Sequence, residues 1–436
     1  MTNIAPASQA DVVIIGGGIM GCAIAYNLAR RGVQAVLLEK GKMVGEQSSR
    51  AWGFVRQQNR DPAELPLMIV GNRIWRELSA ELQADVEWRA GGILSLAGNE
   101  AELAHYEARE KLEREHGVDS RMVTPEEIRG LMPGFAGQVL GGLHTASDGN
   151  AEPLKASSAF AAAAERAGAK LHPYCTVEGF TTRDGKIASV ITDKGEIRTE
   201  TVVCAAGAHS SKLARMVGLD LPVRTVRATV AATEPLPEIT QLAVRGVEVS
   251  FRQRASGSVY MAQSVDNSAD YDLTLESFHH LRWFLPNYLE NRRMVRLHIG
   301  KPFWDDLMRA MPWSKARRHP FAHAVDLEPK PNQKQVQRSR EALMGYFPHL
   351  KDVRIERTWA GMIDTMPDMI PVLGPAPELE GFIFVTGFSG HGFAMGPIVG
   401  RLISELILNG GASLDIHGLR FSRFAEGKLG AAGKVR

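Results

Sequence analysis

Cysteine is scarce in this chain of 436 residues: only Cys22, Cys175 and Cys204, far apart and without a CxxC pair. That excludes a disulfide framework and a cysteine zinc site. An excess of one charge is lacking too, since 51 Lys and Arg face 49 Asp and Glu for a net +2. Such a balance gives no global reason to expect nucleic acid. The 13 histidines are scattered without metal-ligand spacing, so no metal is expected. No apolar run reaches the roughly 18–20 residues of a membrane span. The N-terminus lacks the charged n-region and following h-region of a secretory signal, so a cytoplasmic setting is expected. Internal repeats and low-complexity tracts are missing as well. What remains is 44% hydrophobic and 23% charged, the composition of an ordinary globular protein of two or three domains.

The start of the chain is the most informative stretch. Asp11-Val12-Val13-Ile14-Ile15 reads as a buried parallel strand. Gly16-Gly17-Gly18-Ile19-Met20-Gly21 follows at once, then a helix from Ala23 to Arg31 closed by Gly32, then a strand from Val33 to Leu38 ending at Glu39. This is a βαβ unit. Farther on, 62–82, 99–116 and an Ala-rich 153–167 read as helices. Thr124-Pro125-Glu126-Glu127 opens another, with Thr as N-cap and Glu at N3. Strand-like runs follow at 170–181, 186–193 and 197–204. Val223 to Thr233, Val244 to Gln253 and Ser258 to Gln263 alternate like an antiparallel sheet. A helix from 336, a strand at 353–359, a strand at 381–386, a Gly-rich loop and a helix at 396–409 complete the pattern, and Gly and Ala enrichment in the last ten residues suggests a frayed tail.

Gly16-x-Gly18-x-x-Gly21 sits between a predicted strand and a predicted helix, and Glu39 follows 18 residues after Gly21. This is the context in which such a turn binds a dinucleotide. Gly16 allows the tight turn, Gly18 admits a pyrophosphate to backbone N–H groups, and Gly21 lets helix and strand pack closely. The helix N-terminus favours the phosphates. Glu39 can accept from ribose hydroxyls and disfavours a 2′-phosphate. FAD and NAD both remain open on these residues alone.

Further segments carry a resemblance. Glu39-Lys40 with Gly45-x-x-Ser48-Ser49-Arg50, Val202 to His209, and Gly387-Phe388-Ser389-Gly390-His391-Gly392-Phe393 resemble the D-amino-acid oxidase-like flavoenzyme superfamily. The likeness spans almost the whole chain and is greatest to bacterial sarcosine, opine and D-hydroxyproline oxidases and dehydrogenases. It implies an α/β fold: a Rossmann-like FAD-binding domain of the GR2 type and a substrate domain of antiparallel sheet plus helices. The FAD domain is expected from 1–85, 147–220 and 345–415, the substrate domain from 86–146 and 221–344, and a C-terminal tail from 416–436. The resemblance places Gly16, Gly18, Met20 and Gly21 around the pyrophosphate, with Glu39 and Lys40 at the adenosine. Ser48, Ser49 and Arg50 lie along the pyrophosphate and ribityl chain, and Trp52 and Gly53 near the ring. Val177 contacts adenine, Ala206 and Gly207 pack on the dinucleotide, and Met362, Gly390, His391, Gly392 and Phe393 lie by the flavin. Some relatives attach the flavin through a Cys ahead of a Pro-Asp step. The matching stretch, 359–368, has no Cys, so the FAD is expected to be non-covalent.

The implied activity is FAD-dependent oxidation of a secondary amine or a D- or imino amino acid. Hydride passes to flavin N5, and the imine formed then hydrolyses. The acceptor that reoxidises the flavin is oxygen, a quinone or another carrier. The flavin supplies the hard step and the protein supplies position and electrostatics. A carboxylated substrate calls for an Arg fork. Arg56 is the first candidate, followed by Arg252 and Arg254 ahead of Tyr260; the plain alternative for each Arg is an ion pair, and for Tyr260 a core position. His391, between two glycines, is the second candidate catalytic residue after Arg56. Ser48 and Ser49 can equally be helix caps, and Cys22, Cys204 and His209 read as packing residues.

Residues 279–319 depart from the smaller relatives, with nine Lys and Arg against three Asp and Glu and with six aromatics, among them Trp283, Trp304 and Trp313. They read as a mostly helical insertion that either packs on the substrate sheet or docks a partner subunit or the inner face of a membrane. The rival functions are a NAD-dependent dehydrogenase and a flavin subunit of a larger electron-transfer complex.

Overall fold

The computed structural model describes residues 6–264, 268–311 and 328–429. Its first sheet has six strands in the order Val372–Pro375, Phe382–Thr386, Val202–Cys204, Val12–Ile15 (β1), Ala35–Leu38 (β2) and Lys170–His172. Neighbours run parallel except the first pair. All four residues of β1 are apolar and buried because both faces of the sheet are covered. Val12 and Ile14 enter one core with the helices Ile19–Ala29 (α1), Pro153–Arg166 and Gly392–Asn409. Val13 and Ile15 enter another with Val177, Ile187, Val190 and Ile197. Each such side chain contributes roughly 1.5–3 kcal/mol on burial.

The three strand-like runs at 170–204 are five strands. Lys170–His172 and Val202–Cys204 belong to the first sheet, while Val177–Arg183, Lys186–Thr192 and Gly195–Arg198 form a separate antiparallel sheet. Tyr174 at φ 53° and Gly185 at 76° make two of the breaks, since left-handed backbone does not continue a strand.

The second large sheet has ten strands. It contains Arg224–Thr233, Ala243–Arg245, Val249–Gln253 and Val259–Gln263, and also Ile93–Ala97, Ser120–Val123 and Gly141–Thr145 from the 86–146 stretch. Ile355–Thr365, in the stretch expected to serve the FAD domain, pairs along its length with Arg224–Thr233 in this sheet. The described part of the 279–319 segment is mostly helical, as expected, but also contains a strand. Helices Leu281–Asn291 and Lys301–Ala310 flank a strand, Val295–His298, that extends the sheet edge beside Ala269–Asp272. Trp313 and the rest of 312–319 lie outside the described residues.

Two helix signals are as expected or nearly so. Thr124 and Glu127 form a complete capping box. The last long helix starts at Gly392 rather than 396, so Gly396 and Gly400 lie inside it. A Cβ on either would meet Ile19 or Ala23 of α1 at 2.7 Å, so these glycines serve close helix packing rather than a loop. The expected tail is folded in at its start. Arg423 is buried and binds Asp368 through two bonds of 2.9 and 3.1 Å, and Phe421 and Phe424 join the core. Residues 430–436 lie outside the described residues.

Candidate active site

A cleft of about 1110 Å³ runs from the carboxyl end of β1 to the second sheet. Its first end is made of backbone. Gly16 has φ +113°, and a Cβ there would lie 2.3 Å from the Ala205 carbonyl oxygen. Gly18 and Met20 line the cleft at the start of α1. Gly21 does not line it; its missing Cβ clears the Gly16 carbonyl, which would be 2.0 Å away, so its part is packing. Glu39 ends β2 and accepts from Gly17 N–H at 2.7 Å and Gly41 N–H at 2.8 Å. Burial raises its pKa, opposed by those two bonds.

Ser48 lines the cleft, and its Oγ accepts from Ile19 N–H at 2.8 Å, so it caps α1 rather than its own short helix. Ser49 corrects the expectation. It is not in the cleft wall, and its hydroxyl donates to the Glu46 carbonyl at 3.0 Å. Lys40 and Arg50 do line the cleft, Lys40 paired with Glu46 and Arg50 bonded to the Ala360 carbonyl at 2.9 Å. Trp52, Gly53, Val177, Ala206, Gly207 and Met362 are also in the wall. His209 is buried with Nε2 3.7 Å from Glu46. Burial would raise the Glu46 pKa, but His209 and Lys40 prevail and hold it at about 2. Cys22 and Cys204 are inert packing residues, their thiols pushed up by burial to about 12 and about 11.

Gly390, His391, Gly392 and Phe393 meet the same cleft, with His391 as N-cap of the last long helix. Asp364 holds this loop, accepting from Gly387 N–H at 2.7 Å, and burial pushes its pKa up to about 6. The sequence reading missed it because the clamp spans 22 or more residues between a strand and a loop.

The other end is made of side chains. Arg56 lines the cleft, buried, with Nη1 donating to the Gln58 and Asn59 carbonyls. Arg60 and Arg245 line it as well. Burial drives the Arg56 pKa well below its ordinary value, and repulsion from Arg60 and Arg245 adds to this. Buried Asp148 fixes the segment, accepting from Gln57 N–H at 2.7 Å and Gln58 N–H at 3.1 Å; burial pushes its pKa up to about 7. Arg60, Arg245, Asp148, His105 and Glu64 carry no local motif that marks them in the sequence.

Arg252, Arg254 and Tyr260 are corrections: none lines the cleft. Glu152 gathers them. Its carboxylate lies 3.3 Å from Arg252 Nη2, 2.8 Å from Arg254 Nε and 3.4 Å from the Tyr260 hydroxyl. Arg252 Nε also donates to the Trp52 carbonyl. Arg252 thus holds the Trp52 carbonyl, and both guanidinium groups pair with Glu152. Among the described residues one cluster has metal-ligand chemistry, Asp220 with His279 and His280. Arg224 Nη2 lies 3.0 Å from His280 Nδ1, and that guanidinium opposes a cation.

The cradle fits a dinucleotide. Gly16 and Gly18 put side-chain-free backbone in its wall, α1 begins beside them, and Glu39 lines it as well. No helix of the described residues is long and apolar enough to cross a membrane.

Comparisons with known proteins agree. The chain is 27% identical over 426 residues to human mitochondrial sarcosine dehydrogenase, covering 96% of this chain and 42% of that one. It thus spans less than half the length of that relative. It is 24% identical to sarcosine oxidase subunit beta of Arthrobacter sp, covering 98% and 94%. Its fold matches L-amino acid deaminase from Proteus myxofaciens with a TM-score of 0.90 at 25% identity, covering 97% and 95%. The family model "FAD dependent oxidoreductase" (DAO) matches residues 11–406, and the chain belongs to that family.

Proposed function

We propose that this chain oxidises the carbon–nitrogen bond of a carboxylated amine, a secondary amine or a D- or imino amino acid, using non-covalently held FAD. The bound flavin would supply the hydride acceptor. One observation carries the reading: the dinucleotide cradle, the His391 loop and three arginines, Arg56, Arg60 and Arg245, share one cleft. Two buried guanidinium groups, Arg56 and Arg60, and the half-buried Arg245 repel one another, and a substrate carboxylate would relieve that repulsion. Arg56 is the residue assigned to it, fixed in place by its carbonyl partners. His391 is assigned to the amine side of the site. Burial pushes its pKa down to about 4, so it stays neutral near pH 7. The nicotinamide alternative falls with the family assignment.

Anaerobic mixing of the yellow protein with a panel of amines tests this. Bleaching of the flavin band by carboxylated amines and not by their decarboxylated analogues is the expected result. Yellow protein that no amine bleaches would sink it.

A second reading concerns the setting. Among the described residues, 13 large apolar side chains are exposed, and eight fall between Phe278 and Met308; of these Phe278, Leu281, Leu285 and Leu297 line the cleft, and Leu289, Ile299, Trp304 and Met308 lie outside its wall. Arg282, Arg292, Arg296 and Lys301 are exposed among them. We propose this face as a peripheral docking surface for an anionic membrane, since cations with exposed aromatic and aliphatic groups suit headgroups and acyl boundary. The kinship to a protein that is one subunit of sarcosine oxidase makes a partner chain the competing outcome.

A further inference from the structure

Beside the cleft lies a second cavity of about 240 Å³, and Arg60, His105, Met369 and His391 belong to both walls. Its own wall adds Glu64, Arg109 and the exposed Asp61. The cavity is polar and unsatisfied. Arg60 Nη1, Glu64 Oε1, Arg109 Nε and His391 Nδ1 are buried without a hydrogen-bond partner. Glu64 Oε2 is 3.7 Å from His391 Nδ1 and 3.9 Å from Arg60 Nη1, both too long for a direct bond. Other acids nearby are spent. Asp368 is held by Arg423, and Glu113 takes Asn59 N–H at 2.6 Å and the Ser120 hydroxyl at 2.5 Å. A space of this size ringed by convergent donors and acceptors holds water, whereas an apolar one stays dry.

Resting on the function proposed above, we infer that this chamber is a water-filled proton exit, with Glu64 positioning His391 and drawing the proton through it. In the step, an N–H bond of the substrate ammonium breaks and leaves its electron pair on nitrogen. The proton goes to the neutral His391 imidazole, and the Glu64 carboxylate offsets the imidazolium. Chamber water then carries the proton past Asp61 to solvent and restores the pair. No electrons leave the substrate here; the hydride departs afterwards, from the neutral amine.

The charges agree with this order. Burial would raise the Glu64 pKa, but His391, Arg60 and Arg56 prevail and lower it, so it rests as the anion. His391 rests neutral because burial opposes its charge; Glu64 favours the imidazolium, and Arg60 and Arg56 disfavour it. The remaining charged groups around the chamber and its approach are Asp61, Arg109, His105 and the Asp368–Arg423 pair, with Arg245 on the cleft side.

The test is Glu64→Gln in the FAD-loaded enzyme, followed by anaerobic stopped-flow from about pH 6 to 10 with an amine that bleaches the wild type. Flavin reduction should slow on the order of 10–100-fold near pH 7. The gap should close by about pH 10, where the amine arrives already neutral. A loss equal at every pH, or no loss, overturns the proposal. A high-resolution structure of the wild-type holoenzyme is the second measurement and does not depend on that variant folding. It should show water bonded to Glu64 Oε1 and Arg60 Nη1; a dry chamber, or direct pairing of those atoms, overturns the proposal. If no amine bleaches the wild type, the proposed function has failed instead, and the water structure still decides whether the chamber is wet.

Discussion

At the Gly16 end of the cleft the ligand-facing groups are backbone; at the Arg56 end they are side chains. The first end is packed against itself so closely that a Cβ on Gly16 or Gly21 would sit 2.3 or 2.0 Å from a carbonyl oxygen. The second end is held by Arg56 and Arg60 side chains bonded to carbonyls of their own 56–60 segment, which buried Asp148 fixes by accepting from Gln57 N–H. Backbone cannot be removed by substitution; it can only be obstructed. Side-chain charge can be removed one group at a time. Cofactor capture and substrate recognition are therefore separable by mutation in this cleft.

The sharpest way to break that contrast is Gly16→Val. A β-branched residue at φ +113° is strained and collides with Ala205. The expected result is protein with essentially no bound FAD, read from the ratio of absorbance near 450 nm to that near 280 nm. Full flavin content in this variant would show that the glycine turn is not the cradle.

Next come the two arginines that the sequence ranked first and second for a substrate carboxylate. Arg252→Ala leaves Glu152, buried, with one of its two guanidinium partners gone. Breaking a buried pair costs about 3–5 kcal/mol, so the loss should appear in denaturant unfolding. Arg56→Ala should leave FAD content normal and raise KM for a carboxylated amine on the order of 10–100-fold, from a lost charge-assisted contact worth about 1.5–3 kcal/mol. Arg252→Ala with intact stability and the KM defect would reverse the assignment made from the structure.

What was legible in the sequence follows the same division. β1, α1, β2, Gly16, Gly18 and Glu39 sit within 28 residues, and each signal is local: period, turn chemistry and a cap. The Arg56 end draws on 56–64, 105–109, 148, 245 and 391, which only the fold brings together. Arg56 itself was found by its neighbourhood to the flavin segment. Arg252 was misplaced because an Arg on a substrate-domain strand looks the same whether Glu152 or a ligand meets it. Ser49 was misplaced because adjacent serines in one helix turn face different ways, so Ser48 reached the cleft and Ser49 did not.

A smaller effect sharpens the comparison by pH. Glu46, between Lys40 and His209, has its pKa depressed from 4.5 to about 2. A carboxyl with a depressed folded pKa contributes stability that is full above its unfolded value and is lost as pH falls through the folded one. Glu46→Gln should therefore flatten the fall in apoprotein stability between about pH 4.5 and pH 2, with little influence on substrate KM. A variant with the wild-type acid profile would show that this pair is not felt.

The smallest expected effect on turnover belongs to the 276–310 face. Neutralising Arg292, Arg296 and Lys301 together removes exposed charge that lies outside the cleft wall, whereas Arg293 lines the cleft and is left alone. If this face meets an anionic membrane, co-sedimentation with vesicles containing phosphatidylglycerol should fall. The loss should be greatest at low salt, because exposed charges are screened beyond about 8–10 Å at physiological ionic strength. Replacing Leu289 and Trp304 by Ser should weaken binding at every salt concentration, since apolar burial is not screened. Turnover with a small dye acceptor should stay near wild type in the charge variant, because a dye reaches the cleft without docking. Wild-type protein that ignores such vesicles at low salt but migrates in a larger complex in cell extract would assign the face to a partner chain. Protein that ignores vesicles and runs alone would leave Leu289, Ile299, Trp304 and Met308 as a bare surface and end the docking proposal.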